Sequence, residues 1–257
     1  MTAAAPGTAG KLAALYGLRP QPLYGPAGAV VYDALSRHDL SELSEVLRLA
    51  LESAGPILEL AAGSGRLTIP LAARGHEVVA LDNSFALLDL LRSRDERIRV
   101  IEADMSRFAF DETFALIVLG TSSVCLLDRA QRATLFGLVV DHLRPDGVFY
   151  VSGMDIAATL TPRTRATERV AMVQDGATVL TLLQHFDGRR GVRTTSVLTE
   201  TVDDHVTVGR ELFTSEVQLL DSGELTAELA LAGLTVVEQR RGKPGEQVPY
   251  QLVCRHA

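Results

Sequence analysis

The stretch Pro56 to Pro70, PILELAAGSGRLTIP, constrains this chain most. Ile57, Leu58 and Leu60 form an apolar run that carries one acid, Glu59, and breaks into Ala61-Ala62-Gly63-Ser64-Gly65. An amphipathic segment begins at Arg66. A buried strand, a turn of small residues and a helix, in that order, is how an α/β sheet builds a nucleotide-sized pocket at the carboxyl end of a strand. Gly63 and Gly65 let the backbone bend sharply and approach a ligand closely, because no Cβ intervenes.

A second acid stands at the matching distance. The helix expected over Leu67–Arg74 stops at Gly75, and His76-Glu77-Val78-Val79-Ala80-Leu81-Asp82 reads as another buried strand, its carboxylate about 20 residues past the turn. An acid there faces the pocket and can accept both hydroxyls of a ribose. Two cofactors fit this much. A nicotinamide site reads G-x-G-x-x-G, with a pyrophosphate on the helix N-terminus. Here Ala61 takes the first glycine position, and Leu67-Thr68 stand where a third small residue is expected. Glu59 would also set a negative charge beside a negative ligand, so it suits a cationic one.

The pattern E-x-A-x-G-x-G, followed by an acid that ends the second strand, resembles the class I S-adenosylmethionine-dependent methyltransferases. Ile101-Glu102-Ala103-Asp104-Met105 is similar to the end of that family's third strand, Phe114 to Gly120 to its fourth, and Leu143 to Val148 to the turn into its fifth. The resemblance implies a Rossmann-like seven-stranded α/β sheet with S-adenosylmethionine as cofactor and S-adenosylhomocysteine as product. It implies that the glycine turn lies beside the methionine part, that Asp82 binds the ribose, and that Asp104 and Met105 bracket the adenine. The full cofactor set it implies is Tyr24, Tyr32, Glu59, Ala61, Gly63, Ser64, Gly65, Arg66, Asp82, Asn83, Asp104, Met105, Gly120, Thr121 and Ser122. Asn83 either touches the adenine edge or, with Ser84, caps the next helix, whose Leu87, Leu88 and Leu91 face the core. Thr121, Ser122 and Ser123 follow the fourth strand, where ligands of α/β sheets sit, and can hydrogen-bond cofactor or acceptor.

Composition narrows the partners. A chain of 257 residues with net charge −7 can bury a large core, and it lacks the charge for a broad phosphate-binding face, so nucleic acid is not expected. The fourth-strand loop also lacks the acidic or Asn-Pro-Pro-aromatic motif of amino-methylating DNA enzymes. Cys125 and Cys254 lie far apart, which indicates neither a disulfide framework nor a zinc site, and no metal is expected. Cys125 reads as a small buried hydrophobe. With no signal-peptide pattern and no run near the ~20 apolar residues of a membrane span, a cytoplasmic protein without a membrane partner is expected, as monomer or homodimer.

Around the core the chain divides into an N-terminal segment (1–38), a cofactor-binding core (39–155), an insertion (156–221) and a last helix with two strands (222–257), all within one methyltransferase domain. Residues 1–10 are small and Pro/Gly-rich and are expected to be disordered. Tyr24 and Tyr32 are expected in a lid over the cofactor, as many class I methyltransferases have; the alternative is that they, with Tyr16, pack the segment onto the sheet. Asp39-Leu40-Ser41-Glu42 reads as a capping box, followed by a stripe of Leu43, Val46, Leu47, Ala50 and Leu51. Asp128 to Gln131 reads the same way. Arg92 to Arg99 is a mixed-charge, solvated run. Asp155, beyond the fifth strand, is a loop cap or a substrate contact. From Val170, extended runs broken by Asp-Gly-type turns predict antiparallel hairpins inserted before the last helix. There His185 and Glu216 are the candidate catalytic residues, as acceptors of an amine proton; an exposed strand face is the competing role for each. Arg189, Arg190 and Arg193 crowd a hairpin tip and are expected to be solvated.

Within the class, the likeness is to actinobacterial peptide-natural-product N-methyltransferases, those of glycopeptides and of daptide-type ribosomal peptides. It lies in Tyr24 to Tyr32, in GPILELAAGSGRLTIPLAARGHEVVALDNS and in ADMSRF. It implies a peptide or small-molecule amine acceptor, including dimethylation of a terminal amine. A small-molecule O-methyltransferase would share every cofactor residue. A nicotinamide oxidoreductase and a non-catalytic cofactor binder are the remaining readings.

Overall fold

A computed structural model of the chain describes residues 5–156, 167–243 and 247–257. Residues 1–4 of the expected tail, 157–166 at the start of the insertion, and Pro244 and Gly245 of the last loop lie outside the described residues. In chain order the elements are α1 (Gly7–Tyr16), β1 (Gln21–Pro22), α2 (Ala29–Ser36), α3 (Leu43–Glu52), β2 (Ile57–Leu60), α4 (Thr68–Ala72), β3 (Val78–Asp82), α5 (Phe85–Arg94), β4 (Arg99–Glu102) and β5 (Phe114–Leu119). A 3-10 turn (Ser123–Leu126) leads to α6 (Arg129–His142), β6 (Leu143–Ile156), β7 (Thr167–Asp175), β8 (Thr178–Asp187), β9 (Val192–Asp203), β10 (Val206–Gln218), α7 (Ser222–Leu231), β11 (Leu234–Arg241) and β12 (Gln247–His256). The chain divides into two compact units, Met1–Arg37 with Ala158–Leu219, and His38–Ala157 with Leu220–Ala257.

The second unit holds a seven-stranded sheet in the order β11-β12-β6-β5-β2-β3-β4. Strands β4, β3, β2, β5 and β6 run parallel, and β12 pairs antiparallel with both β6 and β11. Every residue of β2, β3 and β5 is buried, because a parallel sheet is covered on both faces; this is why these strands read as unbroken apolar runs. One core cluster gathers Val46, Leu49, Leu71, Leu116 and Val118, and another gathers Ala62, Leu88 and Leu91. Each buried Leu contributes about 1.5–3 kcal/mol relative to exposure. The strand order reverses between β2 and β5, so the crevice of this sheet opens at their carboxyl ends.

The first unit is a five-stranded sheet, β1-β10-β9-β8-β7, antiparallel except for the short parallel pair β1 and β10. The hairpins expected from Val170 onward are present. Their turns use left-handed residues: Gly176 (φ 58°), Gly191 (φ 65°) and the non-glycine pair Asp204 and His205 (φ 42° and 65°).

Three expectations need correction. The capping box at Asp39 does not form: Asp39 Oδ1 accepts the Ser41 N–H, and α3 starts at Leu43 without a side-chain cap, because the Glu42 carboxylate is drawn into the interior. In the same helix Leu43, Val46, Leu47 and Ala50 face the core as expected, but Leu51 is 78% exposed and Leu49 is buried in its place. Residues 7–10 are helical rather than disordered: Glu168 of β7 takes the N–H and the hydroxyl of Thr8 (2.6 Å each), which fixes the first turn of α1.

Candidate active site

The carboxyl ends of β2, β3, β4 and β5 bring together Glu59, Ala61, Gly63 to Arg66, Asp82, Asn83, Asp104, Met105 and Gly120 to Ser122, all in one unit. Glu59 is 4% exposed and accepts the Thr68 hydroxyl through Oε2. Burial pushes its carboxyl up to about 7; the Thr68 hydroxyl and the Arg66 charge act against that rise. The chain then turns through Ala61 (φ 52°), Gly63 (φ 56°) and Gly65 (φ 91°). For Ala61, at the position where a nicotinamide motif has its first glycine, left-handed backbone costs about 1–2 kcal/mol.

Asp82 holds this turn in place. Its Oδ2 accepts the Gly63 N–H at 2.8 Å, and its Oδ1 accepts the Ser84 N–H at 2.8 Å. Burial raises its carboxyl, and the backbone N–H groups of Ser84, Gly63 and Asn83 oppose the rise. A carboxylate has about four lone-pair sites, so with three backbone donors about one remains for a ribose hydroxyl. The cap of α5 falls to Ser84, whose Oγ accepts the Leu87 N–H, and Asn83 is left exposed beside Asp82. Arg94 reaches back to the Ser64 carbonyl at 3.0 Å, so this member of the Arg92–Arg99 run supports the turn instead of being merely solvated. Asp104 is exposed; the N–H and hydroxyl of Ser106 donate to its Oδ1 and hold the carboxyl below the usual range, while Met105 beside it is buried.

Past β5 the backbone is left-handed at two successive non-glycine residues, Thr121 (φ 57°) and Ser122 (φ 60°). The Thr121 N–H donates to both oxygens of Glu42, at 3.1 and 3.0 Å. Glu42 also pairs with Arg66 and accepts the Tyr150 hydroxyl at 3.3 Å. Arg66 gives a second bond to the Asp39 carbonyl, so its guanidinium is engaged by the chain itself. Glu42 is the residue that sequence reasoning missed at this site; a cap was the only local role its position indicated. Cys125 is buried, as expected. Asp155 accepts the N–H and hydroxyl of Ser222 at the start of α7, whose N-cap is Asp221.

The other candidates belong to the five-stranded unit. Tyr24 and Tyr32 meet edge to face, with centroids 5.1 Å apart, and pack on Leu180, Val197 and Phe213. Arg210 lies over the Tyr16 ring at 4.4 Å. His185 Nδ1 is buried, 3.5 Å from Glu168 Oε1. Glu216 is held by both terminal nitrogens of Arg190 (3.0 and 2.9 Å) and faces Thr194; Arg190 remains exposed, as expected of the hairpin tip. Among the described residues, no group of three or more His, Cys, Asp or Glu can hold a metal ion, and no helix is long and apolar enough to cross a membrane.

The donor set fits S-adenosylmethionine. Glu42 is neutralised by Arg66, whereas Glu59, Asp82 and Asp104 offer carboxylates without a bound guanidinium in the interactions described above, which favours a cation with vicinal hydroxyls over a pyrophosphate.

The comparisons with known proteins agree. Residues 57–147 match the family model Methyltransf_25, methyltransferase domain. The cypemycin N-terminal methyltransferase of Streptomyces sp is 29% identical over 104 residues, 39% of this chain and 42% of that protein. The putative methyltransferase YqeM of Bacillus subtilis is 30% identical over 126 residues, 47% and 51% respectively. The chain thus spans about half or less of the length of these relatives. Among solved structures, the CcbJ methyltransferase from Streptomyces caelestis superposes with a TM-score of 0.76 at 21% identity, over 92% of this chain and 98% of that one. The glycopeptide N-methyltransferase MtfA, solved with (S)-adenosyl-L-methionine, does so at 0.57 and 26% identity, over 84% and 93%. The sheet order, the turn between two acids and these likenesses converge: the chain carries a methyltransferase domain over residues 57–147, on the fold of the class I S-adenosylmethionine-dependent methyltransferases.

Proposed function

We propose that this chain transfers the methyl group of S-adenosylmethionine to an amine of a peptide natural product, a terminal amine that can take two methyl groups included. The observation that carries the cofactor part is Asp82, a buried acid bonded to the Gly63 N–H, next to a second buried acid, Glu59. Support for the acceptor class comes from two similar proteins, one named for the N-terminus of cypemycin and the other for glycopeptides.

The cofactor, when bound, supplies a methyl on a sulfonium, an already activated leaving group. What remains for the chain is to hold and desolvate a neutral amine, and positioning of this kind contributes about 7–11 kcal/mol. In this reading Asp82 holds the ribose, Asp104 and Met105 the adenine, and Glu59 and the Gly63–Gly65 backbone the amino-acid end.

The test is incubation with methyl-labelled S-adenosylmethionine and peptides that differ only in a free or acetylated N-terminus. Label on the free-amine peptides alone is the expected result. Label on hydroxyl-bearing small molecules, with none on any amine, would replace this acceptor with the O-methyl reading.

A further inference from the structure

The loop after β5 carries two features that the cofactor reading leaves unexplained. Thr121 and Ser122 are both left-handed although neither is glycine, and a strained pair of this kind persists only where its surroundings fix it. Beneath the loop lies Glu42, 6% exposed, from a position far upstream in sequence. Its carboxylate gathers donors from three elements: the guanidinium of Arg66 just past the glycine turn, the N–H of Thr121, and the hydroxyl of Tyr150 on β6. The approach is close. A Cβ on Gly120 would stand 3.1 Å from Leu67 Cδ1 and 3.2 Å from Glu42 Oε2, so bare backbone is what fits over the acid.

We infer that Glu42 is a positioning residue: it fixes the left-handed Thr121–Ser122 turn against the glycine turn, and thereby sets the hydroxyls that close the cofactor site. The chemistry is specific to an acid. A single N–H shared between two carboxylate oxygens orients the peptide plane of Thr121, and the guanidinium on the other side fixes the carboxylate itself. Arg66 belongs to the same device: one terminal nitrogen bonds Glu42 and the other the Asp39 carbonyl, and this orients the Glu42 carboxylate. This inference rests on the cofactor reading above.

The test uses the full chain with Glu42→Gln and Glu42→Ala. The amide oxygen of Gln keeps an acceptor for Thr121 N–H, and Ala removes it. Two quantities are read, the exchange rate of the Thr121 amide and the affinity for S-adenosylhomocysteine by calorimetry, with Asp82→Ala as the control for the pocket. Glu42→Ala is expected to lose about tenfold or more in both, and Glu42→Gln, which keeps one neutral acceptor but neither the charge nor the second oxygen, to lose about three- to fivefold. Unchanged exchange at Thr121 in Glu42→Ala overturns the inference, and so does an equal loss of affinity in both variants with Thr121 still protected. Should Glu42→Ala not fold, Glu42→Met with Arg66→Met removes the stranded charge, since apolar replacement of a buried pair is tolerated. Its Thr121 amide is then the readout: fast exchange supports the role and wild-type exchange overturns it. If wild-type protein binds no S-adenosylhomocysteine, the cofactor reading fails, and the exchange data still decide whether Glu42 fixes the loop.

Discussion

Glu59→Gln isolates the energetic signature of a buried acid waiting for a cation. The side chain keeps its shape and its bond from the Thr68 hydroxyl, but it can no longer ionise. In the wild-type chain folding raises this carboxyl from its ordinary 4.5 to about 7, so the native state keeps a proton that the unfolded chain releases. The stability this contributes is complete below 4.5 and is lost as the pH climbs through about 7. At about 1.4 kcal/mol per pH unit, that interval corresponds to roughly 3 kcal/mol. The variant carries a fixed cost of about 1–3 kcal/mol for an amide N–H₂ with no assigned acceptor, and this does not change with pH. Stability of variant minus wild type should therefore rise by roughly 3 kcal/mol between about pH 4 and about pH 8. Urea unfolding followed by circular dichroism reads it, since the chain has no tryptophan to report by fluorescence. Asp82 titrates in the same direction but is present in both proteins, so it cancels to first order. A difference that stays flat within about 1 kcal/mol would show that folding does not raise the Glu59 carboxyl, and the account of it as a desolvated acid beside the glycine turn would fail.

Three further outcomes are expected. Asp82→Ala should lower affinity for S-adenosylhomocysteine by about 100-fold or more in calorimetry, since bonds to a charged group are worth about 1.5–3 kcal/mol each; Asp82→Asn should lose less. Arg132→Met strands Glu228, its buried partner at 2.6 Å between α6 and α7, and should cost about 3–5 kcal/mol in denaturant midpoints, more than the double change with Glu228→Leu. Thr8→Val removes one of the two bonds that hold α1 to Glu168, and amide exchange over residues 7–16 should quicken while the seven-stranded sheet keeps its protection.

Local grammar made the pocket legible. Strands β2, β3 and β5 are apolar runs bounded by small residues, Asp82 ends its strand, and the Asp128–Gln131 box sits within one turn of helix and forms as read. What escaped sequence reading is held by partners far along the chain. Glu42 looked like a cap because its donors lie 24, 79 and 108 residues away. The start of α1 looked disordered because the acid that fixes it is 160 residues distant. Arg94 sat in a run of alternating charge that resembles any solvated surface, and its bond to Ser64 spans 30 positions. Periodicity reports which face of an element is buried; it carries no information on which polar group waits there.

Asp82 serves two masters, and this limits how the protein can be retuned. One oxygen bolts the bend after β2 and the other starts α5, so replacing this acid, the ribose ligand in the proposed reading, would unfasten the frame along with that contact. Asn83 and Asp104, which stand in the open at the rim, carry no such double duty toward the bend. Selection or engineering of a new cofactor preference has its room there, and the bolt itself is the part to leave alone.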